Sequence, residues 1–424
     1  MLVPSRVPVR SGESSTMTTD ENIFSGLRVL DIASFIAGPA ATTILSDYGA
    51  DVIKVEPPGI GDPQRLFHMA PPNPTSEVNY AWELENRNKR AISLDLKSPD
   101  APEILRRLVR WADVLVTNYP PKVRHALGLS YEAVAPLNPR LIYADVTGYG
   151  AAGPEADKPG FDITAFWART GLMDAVHDAD SAPTLLVPGM GDHATATALY
   201  ASIVTALYVR ERTGLGGHAT TSLIAQGVWA GGSWVEGALH GARFYSQHDR
   251  KAPPSAVVNP YRTRDGRWIL PCVLQPKDWP GFVAAIDQPE LLQDPRFADV
   301  PARVTNSAAL AGILDDLFAA ETLAHWREKL DAARVIFSVV QTMEEVVSDP
   351  QMLANEVLLP LAEPNGRATH TVNSPVQVVG FTKVRPRRAP RLGEHTDAIL
   401  AELGFSEAEA AALRESHTVE AHQA

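Results

Sequence analysis

The chain has 424 residues, more than the ~250–300 at which a single hydrophobic core stops growing, so two domains are expected. Its 45% hydrophobic and 21% charged residues are an ordinary globular balance, and a net charge of −12 argues against nucleic acid or an anionic membrane as partner. A small-molecule ligand fits better. The single cysteine, Cys272, lies in an apolar run and allows no intrachain disulfide, which suits a reducing cytoplasm. No stretch approaches ~18 unbroken apolar residues, so no transmembrane helix is expected.

Residues 1–22 are rich in Ser, Thr, Pro and Arg and lack the apolar centre of a signal peptide, so they read as a disordered tail in which Met17 is a second possible start. From Gly26 the pattern becomes βαβ. A strand is expected at 27–33, Gly38-Pro39 punctuates it, and a helix over 40–48 ends at Gly49. Strands follow at 51–56, 91–94, 113–118 and 141–146, with a helix over 99–112. Strands alternating with helices imply an α/β fold with a Rossmann-like parallel sheet covered on both faces. Ligands in such sheets sit beyond the carboxyl ends of strands, which selects the loops 34–39, 56–58 and 118–121.

A nucleotide-binding dehydrogenase is the first function that architecture suggests, but no G-x-G-x-x-G follows any strand and no G-x-x-x-x-G-K-[ST] is present. The histidines and acids show no H-E-x-x-H or comparable spacing, so no metal site is expected. Farther along, Val187-Pro188-Gly189-Met190-Gly191-Asp192-His193 precedes a helix over 194–212, which places one carboxylate at or just before a helix start. Residue type alone favours Asp192 as an N-cap. After Gly214 and Gly216-Gly217 comes an apolar segment, then a polar, proline-containing stretch at 241–258 that reads as a linker or exposed loop. Asp265-Gly266 between strand-like runs predicts a hairpin. Helices continue to about 340, followed by a helix, a β-rich stretch at 371–381, a basic segment at 383–391 and a last helix from about 396. The expected division is a tail at 1–22, a large domain over 23–225, a linker over 226–258, a small α+β domain over 259–340, and a return to the large domain over 341–424.

The order of several motifs resembles the family III (class III) CoA-transferases, the CaiB/BaiF-type superfamily that also holds α-methylacyl-CoA racemases. They are Gly26-Leu27-Arg28-Val29-Leu30-Asp31 with Ala37-Gly38-Pro39, Gly49-Ala50-Asp51-Val52-Ile53-Lys54-Val55-Glu56, Asn86-Arg87-Asn88-Lys89-Arg90, Ala112-Asp113-Val114-Leu115-Val116-Thr117-Asn118-Tyr119, and Ala389-Pro390-Arg391-Leu392-Gly393-Glu394-His395. The resemblance implies exchange of CoA between an acyl-CoA thioester and a free carboxylic acid, with CoA as substrate, no tightly bound cofactor, and Asp192 as nucleophile. A carboxylate, ionised at neutral pH with an ordinary pKa of ~3.9, can attack a thioester without a general base. Backbone N–H groups at Gly189, Gly191 and the helix start are candidate oxyanion donors.

By the same resemblance, CoA contacts fall on Phe35, Ile36, Ala37, Leu94, Lys97, Asn118 and Tyr119, with Lys97, Arg124 and Lys158 as candidates for the nucleotide phosphates. Phe161, Asp162, Phe166, Trp167 and Gly191 are expected to line the acyl pocket. Three departures refine this. The racemase branch has Gly-His-Asp where this chain has Gly160-Phe161-Asp162, and a phenylalanine cannot carry a proton, so transfer is favoured over racemisation. The oxalate-specific branch has glutamine at the position of Ile36, so a bulkier, more apolar acid is expected here. The four-glycine lid of that branch is missing from 241–258. A noncatalytic acyl-CoA-binding protein is the rival from another class. The resemblance also implies an interlocked homodimer in which each chain forms a ring threaded by its partner.

Overall fold

The computed structural model describes residues 22–244 and 249–422. The tail expected at 1–22 lies outside them except for Asn22, as do residues 245–248 of the expected linker.

The strands of the main sheet are β1 (Arg28–Ile32), β2 (Asp51–Glu56), β3 (Arg90–Leu94), β4 (Val114–Thr117), β5 (Ile142–Thr147) and β6 (Gly217–Ser222). They run parallel, and a last short strand, Val419–Glu420, returns from the carboxyl end to pair antiparallel with β3. The spatial order is Val419–Glu420, β3, β2, β1, β4, β5, β6. β1 lies between β2 and β4, so the chain reverses its direction of travel across the sheet there, and the loops after β1 and β4 open a crevice at that point. Every residue of β4 and β5 is buried, as expected of parallel strands covered by helices.

Local chemistry explains most of these elements. Helix Ala101–Trp111 buries Ile104, Leu105, Leu108 and Val109 on one face, while Arg107 on the other bonds Glu103 at 2.8 Å one turn away. Truncating the wholly buried Leu108 to alanine would cost about 2–5 kcal/mol.

Several boundaries differ from expectation. The helix after β1 starts at Ala37 and not Ala40, because Pro39 is tolerated in a first turn, where its missing N–H has no intrahelical partner. β6 was read as turn and apolar segment; its Gly-His-Ala-Thr-Thr-Ser sequence has weak strand character, and it is specified by six-residue pairing with β5. The linker expected from 226 begins with two helices, Leu223–Ala230 and Gly232–Leu239, the first capped by the Ser222 side chain accepting from the Ala225 amide. The expected β-rich stretch lies earlier than 371–381, as a hairpin of Leu358–Asn365 and Ala368–Val372.

A second core gathers residues 256–330 around Tyr261, Phe282, Phe318 and Trp326, with the Tyr261 and Phe318 rings stacked at 5.2 Å. Its three-stranded sheet contains the Asp265-Gly266 hairpin, where Tyr261 pairs with Ile269 and Gly266 takes φ +77°. Among the described residues no helix is long and apolar enough to cross a membrane.

Candidate active site

The 24-residue helix Met190–Thr213 meets the crevice at the carboxyl ends of β1, β4 and β5. Gly189, at φ +87°, turns the chain into it, and among the described residues no side chain caps this helix. Asp192 is therefore not the cap: it is the third helical residue, in the turn where the helix dipole favours negative charge. Gly191 has its own reason. A Cβ there would lie 2.6 Å from the Phe166 ring and 2.9 Å from the Asp162 Cβ.

Phe166 and Asp162 belong to a π-helical turn, Asp162–Ala168. One Asp162 carboxylate oxygen accepts from the Ile163 amide at 2.7 Å and the other from the Gly189 amide at 2.8 Å. The Gly191 amide also stabilises this carboxylate. The amides of Gly189 and Gly191, expected as oxyanion donors, are thus already engaged by Asp162.

A cavity of about 300 Å³ opens at Asp192 and is lined by Phe35, Ile36, Ala37, Asn118, Tyr119, Lys158 and Phe161. Most of these came from loops that the parallel-sheet argument selected, and the fold fastens those loops firmly. The Asn118 amide side chain accepts from the Ser34 N–H at 2.9 Å and donates to the Ser34 carbonyl at 2.6 Å, joining the loops after β1 and β4. Phe35 is held at φ +60°, a region costly for a non-glycine residue, with its N–H bonded to Asp62 at 3.0 Å. Asp62 is in turn fixed by the fully buried Lys54 ammonium at 2.8 Å. The Phe35 and Phe161 rings meet edge to face at 5.3 Å.

Other expected site residues lie elsewhere. Leu94 is 1% exposed within β3 and belongs to the core. Lys97 lines a separate cavity of about 760 Å³, with Arg106 and Lys122. Arg124 is buried, bonding Asp145 at 2.5 Å and the Tyr143 hydroxyl at 3.1 Å, so its guanidinium is committed to the interior. Trp167 is buried against Phe166 and Leu186, and its indole N–H donates to the Thr184 carbonyl at 2.8 Å, which seats the segment leading to Gly189. Asp162 and Gly191 act behind the cavity wall.

Burial, the Asp162 charge and Glu85 push the Asp192 carboxyl up to about 8, opposed by His193. Burial alone also raises Asp162, despite the amides it accepts from. For His193, burial pulls the imidazole down, but Glu85, Asp192 and the Gly189 carbonyl outweigh it and push the ring up to about 9. Glu85 and His193 were not singled out in the sequence. They stand 108 positions apart, and only the position of His193 next to Asp192 was a signal.

Residues 24–396 match the family model described as CoA-transferase family III. The chain is 33% identical over 401 residues to the (R)-2-hydroxy-4-methylpentanoate CoA-transferase of Clostridioides difficile, covering 94% of this chain and 99% of that protein. It is also 33% identical over 403 residues to the cinnamoyl-CoA:phenyllactate CoA-transferase of Clostridium sporogenes, covering 93% and 96%. The crystal structure of a CaiB/BaiF family protein from Brucella suis superposes with a TM-score of 0.79 at 29% identity, covering 90% of this chain and 100% of that one.

Proposed function

The chain belongs to CoA-transferase family III and is an enzyme that exchanges CoA between an acyl-CoA thioester and a free carboxylic acid, and we propose that Asp192 carries the exchange covalently. The observation that carries this reading is the Asp192 carboxyl at the cavity, in the first turn of its helix, with its basicity raised by burial and by Asp162. A carboxylate of raised basicity is a stronger nucleophile once ionised.

An Asp192 oxygen attacks the thioester carbonyl; the C–S bond breaks, leaving a mixed anhydride and CoA thiolate. The thiolate attacks the aspartyl carbonyl, releasing the donor acid and leaving an aspartyl-CoA thioester. The acceptor carboxylate attacks that thioester to give a second anhydride and free thiolate. The thiolate then attacks the acceptor's acyl carbonyl, forming the new thioester and returning the Asp192 carboxylate. No proton need be transferred in net.

The cavity walls Phe35, Ile36, Phe161 and Leu223 are apolar, and two relatives are named for branched or aromatic acids. The acid here is therefore proposed to be a branched or aromatic one. CoA is proposed to run from Asp192 along Tyr119 and Pro121, which line the first cavity, to Lys122, Lys97 and Arg106, which line the second and would meet the nucleotide phosphates. Lys158, at the first cavity, would stand nearer the thioester.

The division into a large domain over 23–225 and 341–424 and a small domain over 259–340 is retained as a proposal, supported by the return of Val419–Glu420 to β3 and the second core. An interlocked homodimer is proposed with it, supported by exposed Trp229, Trp234, Leu239 and Val379. A cytoplasmic location is proposed from the composition alone.

Asp192→Asn should abolish transfer. Acyl-CoA treatment followed by hydroxylamine or borohydride trapping and peptide mass analysis should place the modification on Asp192; a label on another residue overturns the assignment.

A further inference from the structure

Asp192 faces an excess of negative charge. Asp162 approaches from the π-helical turn and Glu85 from the helix Tyr80–Asn86, and both raise its carboxyl. Against these stands, among the described residues, the His193 ring on Asp192's own helix. The ring does not float. Its Nε2 donates to the Glu85 carboxylate at 2.7 Å, and the Glu85 side chain is 3% exposed. The Glu85 backbone is itself clamped, its carbonyl accepting from the Lys89 ammonium at 2.7 Å and from the Thr43 hydroxyl at 2.5 Å. Lys89 is engaged behind Glu85, with Asp31 at 2.9 Å.

We infer that His193, anchored by Glu85, is a positioning residue for the transfer: its imidazolium is the counter-charge that lowers the pH at which the Asp192 carboxyl ionises and becomes able to attack. The inference rests on Asp192 being the nucleophile. A buried anion facing two others takes up a proton unless a cation answers it, and a protonated carboxyl cannot open a thioester. Glu85 secures the cation by holding the ring protonated and fixed beside the turn at Gly189, where a Cβ would lie 3.5 Å from the ring, as a carboxylate orients an imidazole in many active centres. The pair could also act only as a strut between two helices, and pH dependence separates the roles. A strut affects stability and turnover alike at every pH, whereas a counter-charge sets the pH at which the nucleophile ionises.

The test is the pH profile of kcat/KM for CoA transfer in wild type, His193→Gln and His193→Arg. Glutamine keeps a donor for Glu85 but no charge, so the acid limb should move up by about one to three pH units, the range expected for loss of a neighbouring opposite charge. Arginine restores the charge and should bring the limb back toward wild type. An unmoved acid limb in His193→Gln, or an equal pH-independent loss in both variants, overturns the inference. A measurement on the wild-type protein covers the case of unfolded variants: ring ¹⁵N shifts should report an imidazolium at pH 7, and a neutral ring overturns the inference outright. An Asp192→Asn protein that transfers CoA at the wild-type rate would instead remove the nucleophile itself. An inactive Asp192→Asn beside an unmoved limb in His193→Gln removes only this inference.

Discussion

Gly191 lies flush against Phe166: a Cβ at 191 would fall 2.6 Å from the ring, closer than any real Cβ contact. The ring is 4% exposed and sits in a cluster with Trp167 and Leu186, so it has little room to yield. Gly191→Ala should therefore push the first turn of the helix, and Asp192 with it, away from the cavity. We expect a loss of about 1–3 kcal/mol of stability by overpacking, and a fall of about 100-fold in kcat from misplacement of Asp192, the proposed nucleophile. Denaturant melts and steady-state kinetics on one preparation check both. Wild-type kcat in Gly191→Ala would show that the close approach is not needed.

Asp192 should cost the fold stability, in a pH-dependent way. Its carboxyl is raised from 3.8 to about 8, so the native state holds the proton more tightly than the unfolded chain. The contribution of this group to stability is fully present below about pH 4 and is lost as pH rises through about 8. Asparagine does not titrate. The melting temperature of Asp192→Asn relative to wild type should rise progressively between about pH 4 and pH 8. A difference that stays flat over this window would refute the raised carboxyl.

Arg124 and Lys158 were both offered as phosphate ligands, and the fold separates them. Arg124→Ala leaves Asp145 buried without its guanidinium and should cost about 3–5 kcal/mol, with little change in the acyl-CoA KM. Lys158→Ala breaks an exposed pair with Glu155 and an ammonium contact 4.9 Å over the Tyr149 ring and should change stability by under about 1 kcal/mol, while raising that KM severalfold. The reverse pattern would return Arg124 to the ligand set.

The ring of Phe161 should set acid selectivity. Phe161→Ala opens the wall shared with Phe35 and should lower kcat/KM for branched and aromatic acids by about 10–200-fold relative to acetate. Equal losses for all acids would assign the ring to folding and not to selection. Oxalate emerging as the best acceptor of the wild-type enzyme would defeat the apolar-pocket reading altogether.

An interlocked dimer cannot dissociate without unfolding, so its sedimentation coefficient should not change on dilution to nanomolar concentration. A reversible monomer–dimer equilibrium at micromolar concentration would count decisively against it.

Sequence by itself determined what local chemistry encodes. The βαβ alternation placed strands close to β1, β2, β3, β4 and β5 because buried parallel strands are short apolar runs between helices. The motifs identified the family and selected Asp192 and the loops at Phe35 and Asn118, and the glycines around Asp192 marked a turn into a helix. Tertiary structure decided the partners. Nothing near Arg124 in the chain announces Asp145, nothing near Gly189 announces that Asp162 takes its amide, and Glu85 reaches His193 across 108 positions. β6 and Val419–Glu420 likewise exist because a neighbouring strand edge supplies their hydrogen bonds. Periodicity and capping act within a few residues, whereas the charge around a nucleophile is a sum over groups that only the folded chain brings together.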